Sequence, residues 1–351
     1  MSATKMVTMA HGAGGSVMQS LIKRIIVAKL GGSSVEVPLE ALDDAAVVDN
    51  IVLKTDSHTV KPLFFPGGDI GRLAVSGTVN DICMVGGEPI ALTAGFIIEE
   101  GFPMDDLAKI VDSMAQTCKE AGVYIVTGDT KVVEKGALDK FVINTSGIGK
   151  RSRFLDDNIE VVRKYRPFTQ RWLLDSNLRA GDNIILSGAV GDHGVAVLSS
   201  REGYGFEGNV LSDVKPLNKA VNKVLQVGGV VALKDPTRGG LANALNEWCD
   251  KSGVGILVDE AKIPVHDNVR AACEMLGIDP YDVGNEGKMI IAVVKEKAKE
   301  VLETLRAMPE GREAEIIGEA TSDFREVVLK TKVGGRRIIP PPIGDPVPRI
   351  C

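Results

Sequence analysis

Short runs rich in β-branched residues alternate along this chain with longer segments whose apolar residues recur every three or four positions. Such alternation predicts a mixed α/β fold with mixed sheets (α+β in character). Predicted strands are Val47 to Lys54, Ile90 to Ile98, Val123 to Val126, Phe141 to Ile148, Asn183 to Leu186, Val254 to Val258, Met289 to Val294 and Glu326 to Leu329. Predicted helices are Asp105 to Ala121, Leu217 to Gln226, Leu241 to Lys251, His266 to Leu276 and Glu296 to Met308. A length of 351 residues suggests about two domains. The polar, arginine-rich stretch Lys150 to Gln170 breaks the apolar rhythm and reads as their connection, with the boundary near residue 165. The expected units are residues 1–165, residues 166–339 and a tail, 340–351, which follows a hairpin turned at Gly334-Gly335.

That tail, Pro340 to Cys351 (PPPIGDPVPRIC), holds five prolines in twelve residues. Proline donates no backbone N–H, so the segment suits neither a helix nor a central strand, and the expectation is a stiff, solvated, mobile arm. At about 3.1 Å per residue, it could carry its thiol roughly 30 Å. Five cysteines, odd in number and widely spaced, make neither a disulfide framework nor a CxxC zinc site. Cys83, Cys118, Cys249 and Cys273 fall on apolar helical stripes and read as core thiols, whereas Cys351 stands outside any such period.

A net charge of −6, with no basic run longer than Gly335-Arg336-Arg337, argues against a general nucleic-acid or membrane-surface binder. No apolar stretch approaches the length of a membrane span and the first residues lack a signal-peptide pattern, so the expected setting is cytoplasmic. Any anionic ligand must be held locally.

Carboxylates punctuate the first half at element ends. Asp43-Asp44 precedes a predicted strand, Asp56 follows it, Asn80-Asp81 falls in a predicted helix, and Gly128-Asp129-Thr130 closes the strand Val123 to Val126. Magnesium takes carboxylate oxygens and keeps phosphates and waters as its other ligands, so this recurrence suits a nucleotide-bound Mg²⁺. The loop His11-Gly12-Ala13-Gly14-Gly15-Ser16 would let backbone N–H groups approach phosphate oxygens at a helix start. Two later glycine loops, Ser187 to Gly194 and Asp235 to Gly240, also sit between a strand-like run and a helix.

The segment Thr55 to Pro89 (TDSHTVKPLFFPGGDIGRLAVSGTVNDICMVGGEP), with HGAGG, DDAAV, GDTKVV, DPTRGG, NEGK and PRIC, resembles the hydrogenase maturation family HypE across essentially the whole chain. That family belongs to the ATP-dependent superfamily of aminoimidazole ribonucleotide synthetase, selenophosphate synthetase and thiamine-phosphate kinase. The resemblance implies that superfamily's two-domain architecture, with residues 1–165 binding ATP and pairing into a homodimer. It also implies a carbamoyl dehydratase. The carbamoyltransferase HypF would load Cys351, ATP and Mg²⁺ would drive dehydration to a thiocyanate through a phosphorylated imidate, and a HypC–HypD complex would take the cyano group for [NiFe]-hydrogenase. By the same resemblance, Asp44, Asp56, Asp81 and Asp129 form the metal set. Gly12, Gly14, Gly15, Asp43, Asp81, Asp129 and Thr130 contact ATP, and either Lys131 or Glu286 is the base. His11, His58 and His193 are candidates to touch the site, with a packed imidazole the competing reading for each. A small-molecule synthetase or kinase of the superfamily is the alternative, and it would leave Cys351 idle.

Overall fold

In the computed structural model, which describes residues 6–201, 210–344, 346–347 and 349–351, the β-branched runs pair into two large sheets. Helical segments α1 (Gly15–Leu21) and α2 (Ala28–Leu30) come first, then β1 (Ala46–Val48), β2 (Ile51–His58), the small ribbon β3 (Phe64–Phe65) and β4 (Gly68–Asp69), and α3 (Ile70–Met84). They are followed by β5 (Gly87–Glu99), α4 (Met104–Ala121), β6 (Tyr124–Val133), β7 (Phe141–Arg151) and α5 (Leu155–Arg163). The first sheet has the order β1-β2-β7-β5-β6, with β5 and β6 parallel and β6 at the edge.

The second half runs β8 (Asn183–Leu186), α6 (Asp192–Ser199), α7 (Asn218–Val227), β9 (Val230–Lys234), α8 (Gly240–Ser252), β10 (Gly255–Asp259) and α9 (Asp267–Leu276). It ends with β11 (Ile290–Val293), α10 (Ala298–Arg306), β12 (Glu315–Thr321), β13 (Val327–Lys330) and β14 (Arg336–Ile339). These strands form a sheet ordered β14-β13-β10-β12-β8-β11-β9.

Helix α3 ties the halves together. The Asp69 carboxylate caps it, accepting from the N–H groups of Gly71 and Arg72 at 2.6 and 3.0 Å. Its sequence, IGRLAVSGTVNDICM, is apolar or small on nearly every face, and all of it except Arg72 is buried. A helix apolar all round must be covered on all sides. Here β2, β5 and β7 lie on one side, and α4, α7 and β9 on others. Two apolar cores result. One joins Val47, Val52 and Ile82 to the second sheet; the other joins α3 and α4 to α6, α9 and tail residues Val347 and Ile350.

Several expectations change. The strand foreseen over Val47 to Lys54 is a hairpin, because Asp49 and Asn50 both take positive φ (50° and 63°) and turn the chain between β1 and β2. Asp129 and Thr130 do not close a strand; they lie inside β6, which continues to Val133 through its parallel ladder with β5. The expected connection at Lys150 to Gln170 contains the amphipathic helix α5, whose Asn158 exchanges two 2.8 Å hydrogen bonds with the backbone of Val230. The hairpin at Gly334-Gly335 is present as β13 and β14, with Pro340 just past its end. The tail, expected in solvent, packs inward: Val347 and Ile350 are fully buried, which removes their apolar surface from water.

Ile82, fully buried in the core that links the sheets, gives the first test of this architecture. Ile82→Ala should lower unfolding stability by about 2–5 kcal/mol in a urea titration, since truncation leaves a cavity in a closely packed interior.

Candidate active site

The facing edges of the two halves enclose a cleft of about 450 Å³. Asp43 and Asp44 reach it from the turn before β1, Lys54 and Asp56 from one face of β2, and Asp81 from the last turn of α3. Lys234 and Asp235 enter from the end of β9, Arg238 from the turn into α8, and Glu286 from the loop before β11. Cys351 lies on the same wall. Gly14 lines the cleft too, whereas Gly15 is pressed under Pro342 and Gly12 faces a neighbouring cavity of about 540 Å³. Arg238 and Cys351 border both spaces.

Asp44, Asp81 and Asp235 each present a carboxylate oxygen within 4.8 Å of the others, the one such cluster among the described residues. Burial and mutual repulsion make their protons hard to lose. The Asp81 carboxyl is pushed up to about 7 chiefly by burial, with the charges of Asp56 and Asp44 adding to it, although the Lys54 ammonium 2.7 Å away opposes the shift. Asp235 is held well above the ordinary carboxylate range by burial and then by Asp81 and Asp44. Asp44 is raised by burial as well. Three hard oxygen donors that repel one another are a fitting seat for Mg²⁺, whose charge relieves the repulsion.

Buried lysines hold the rest of the floor. Lys234 Nζ lies 2.8 Å from Asp44, 3.1 Å from Asp175 and 3.1 Å from Glu247. Lys251 sits 2.6 Å from Asp175 and 3.5 Å from Asp43. Burial opposes ionisation of Asp175, but Lys234 and Lys251 outweigh it and keep that carboxyl below its usual value. Glu286 differs. Its Oε1 is buried with no hydrogen-bond partner, and burial followed by the nearby Asp235 and Asp56 charges raises its proton affinity well above normal.

The remaining expected residues divide. Asp56 lines the cleft beside His58, 3.7 Å away, but stands outside the trio; burial opposes its ionisation, while the Lys54 and Arg238 charges hold it low. Asp129, Thr130 and Lys131 do not reach the cleft within one chain. They sit on exposed edge strand β6, where Lys131 Nζ lies 3.3 Å from Asp129 and both side chains are 70% exposed. His58 is buried and kept neutral by burial, His11 bonds to Thr8, and His193 contacts the tail. Among the residues that line the cleft, the carboxylate Asp235 and the cations Lys54, Lys234 and Arg238 are not in the site set inferred from sequence. A signal existed in Lys-Asp-Pro-Thr-Arg-Gly-Gly, where charge follows a wholly buried strand and meets a glycine turn.

Two sheets joined by a buried helix over a carboxylate cleft place the chain in the AIR synthase related class: residues 42–150 match its N-terminal domain and residues 179–330 its C-terminal domain. A putative hydrogenase expression/formation protein of Methanocaldococcus jannaschii is 51% identical, the match covering 98% of this chain and 99% of that protein. Carbamoyl dehydratase HypE of Azotobacter vinelandii is 47% identical over 98% of this chain and 97% of its own. Among solved structures, a HypE–HypF complex matches with a TM-score of 0.83 at 46% identity, over 92% of this chain and 100% of the other. HypE in complex with ATP matches at 0.78 and 41% identity, over 99% and 100%. The chain belongs to the HypE family of hydrogenase maturation proteins.

At pH 6 the Asp81 carboxyl, pushed up to about 7, holds its proton, and the proton affinity of Asp235 beside it is raised too, so a bound cation must displace protons from this cluster. Mg²⁺ added in weak buffer at pH 6 should therefore release protons. The release should shrink at pH 8, where Asp81 is already ionised, and Asp81→Asn should lower the pH 6 value by about one proton.

Proposed function

We propose that this protein uses ATP to dehydrate a carbamoyl group carried on the Cys351 sulfur, leaving a thiocyanate whose cyano group goes to the iron of [NiFe]-hydrogenase. The observation that carries this reading is the seat of Cys351, on the wall of the cleft that holds the carboxylate trio and Glu286. A synthetase or kinase acting on a free small molecule would leave that thiol without a task.

An amide oxygen is a poor leaving group. Transfer of the γ-phosphoryl group to it forms an O–P bond, releases ADP and, with loss of the first N–H proton, gives an imidate phosphate that keeps one N–H. Loss of the N–H proton and of phosphate then closes C≡N, so the cargo has lost one water. Asp44, Asp81 and Asp235 would hold Mg²⁺, which would supply positive charge against the phosphates. Lys54, Lys234 and Arg238 add fixed positive charge along the floor. Glu286 is the base favoured within one chain, since it lines the cleft and its buried Oε1 has no hydrogen-bond partner to compete with the nitrogen proton. Gly14, at the start of α1, lines the cleft and would bring backbone N–H groups to the nucleotide.

Asp129, Thr130 and Lys131 enter this scheme from a second copy. The β6 edge exposes Tyr124, Val126 and Val132 beside an apolar groove of about 810 Å³ lined by Phe96 and Met114, a surface suited to self-association in a homodimer. Loading of Cys351 by HypF is supported by the relative solved with HypF. Delivery to a HypC–HypD complex, a cytoplasmic setting and a domain division near residue 165 belong to the same reading. No described helix is long and apolar enough to cross a membrane.

Intact-mass spectrometry tests the core of this proposal. Incubation with HypF, a carbamoyl donor and ATP should give a carbamoyl adduct on Cys351 that loses one water, and a Cys351→Ala chain should show neither mass. Persistence of the adduct with ATP present would reject dehydration. Glu286→Gln should keep ATP binding while slowing water loss by about 10²–10⁴. Mixing Asp81→Asn with Lys131→Ala copies tests the second-copy arrangement. Random exchange leaves one intact site in each mixed dimer, so activity should recover to about one quarter of wild type, whereas sites complete within one chain would give no recovery.

A further inference from the structure

Tail residues 349–351 lie along the segment that follows β2. The Thr59 N–H donates to the main-chain oxygen of Cys351 at 3.0 Å, and the Lys61 N–H to that of Arg349 at 3.1 Å. The Ile350 carbonyl between them takes no part in these two bonds and is turned toward His193. Left alone there, it would be a buried acceptor without a donor. His193 meets it: Nε2 lies 2.7 Å from the Ile350 oxygen, and the imidazole is fully buried.

The ring's proton placement follows from its neighbours. A carbonyl only accepts, so Nε2 carries the hydrogen. Burial keeps the imidazole neutral, which leaves Nδ1 as an acceptor, and the Ser212 hydroxyl 2.8 Å away must donate to it. Ser212 Oγ in turn accepts from the Val214 N–H at 3.1 Å. Phe65 packs its ring edge-on against the imidazole at 5.3 Å and 88°. The opposite side of the seat is equally specific. A Cβ on Gly284 would collide with Cδ1 of Ile350, and one on Gly15 with the main-chain oxygen of Pro342.

We propose that His193, oriented by Ser212, is a positioning residue for Cys351: it fixes the peptide immediately before the thiol and so sets how far the sulfur projects into the cleft. His193 touches no reacting atom. Its effect passes through one peptide plane, so it acts on the geometry of the docked tail and leaves the nucleotide side untouched. The catalytic consequence rests on Cys351 being the cargo thiol; the seat itself does not.

Hydrogen–deuterium exchange on peptides spanning residues 57–62 reads the seat directly, because the Thr59 and Lys61 amides are covered only while the tail is docked. His193→Ala should speed their exchange about tenfold, the effect of losing one buried hydrogen bond. His193→Gln, whose amide can still donate to Ile350, should restore slow exchange, and Ser212→Ala should give a smaller increase. Dehydration by His193→Ala should show a reduced kcat with an unchanged KM for ATP. Unchanged exchange in His193→Ala, or failure of the Gln variant to restore it, overturns the proposal. Should His193→Ala fail to fold, Ser212→Ala decides by the same measurement. Altered exchange in a protein whose wild type never dehydrates its adduct would uphold the seat and reject the reaction.

Discussion

Lys234 is the residue on which the cleft depends. It is almost completely buried at the end of β9, and it faces Asp44 from the first half and Asp175 and Glu247 from the second. An ammonium in such a place is tolerable only when carboxylates surround it, and those carboxylates need it equally. Lys251 and the Lys54–Asp81 pair repeat the arrangement nearby. Removing one partner of a buried pair typically costs about 3–5 kcal/mol, because the remaining charge is stranded. The two sheets are thus held at a fixed separation by ions that neither half could bury alone.

That separation leaves an excess of negative charge on one side of the cleft. Lys54 and Lys234 do not offset Asp44, Asp81 and Asp235 fully, as the raised proton affinities of all three carboxyls record. A protein that kept these groups only for stability would do better with apolar side chains of similar volume. The arrangement instead favours a cation, beside a glutamate whose Oε1 has no hydrogen-bond partner. The tail completes the wall. Its buried Val347 and Ile350 provide the apolar contact that keeps it seated, while Cys351 faces the polar space.

Much of this was legible in the order of residues. Helices with long apolar periods, such as α4 and α8, and strands such as β8 and β11 lie within a residue or two of their expected limits, because their periodicity is local. The β1–β2 hairpin escaped notice since Asp49-Asn50 is a weaker turn signal than Asn-Gly. Strand β12 was missed because glycine and acidic residues interrupt it, and it forms only with β8 and β10 alongside. Asp43, Asp44, Asp56, Asp81 and Glu286 were singled out by motif and do line one cleft, while Asp129 and Lys131 shared the motif signal and lie on an outer edge.

Sequence by itself determined the alternation of elements and the family, and it set Cys351 apart from the core thiols, since each is carried by residue type and spacing along the chain. Tertiary structure decided which carboxylates meet, because Asp44, Asp81 and Asp235 come from three elements far apart in sequence, and their proximity depends on how the sheets pack around α3. It also decided the place of the tail. Proline content specifies stiffness, but whether a stiff arm stays in water depends on a complementary surface, here the Thr59 and Lys61 amides and the imidazole of His193. Such a surface is made by packing between distant segments, and no local pattern encodes it.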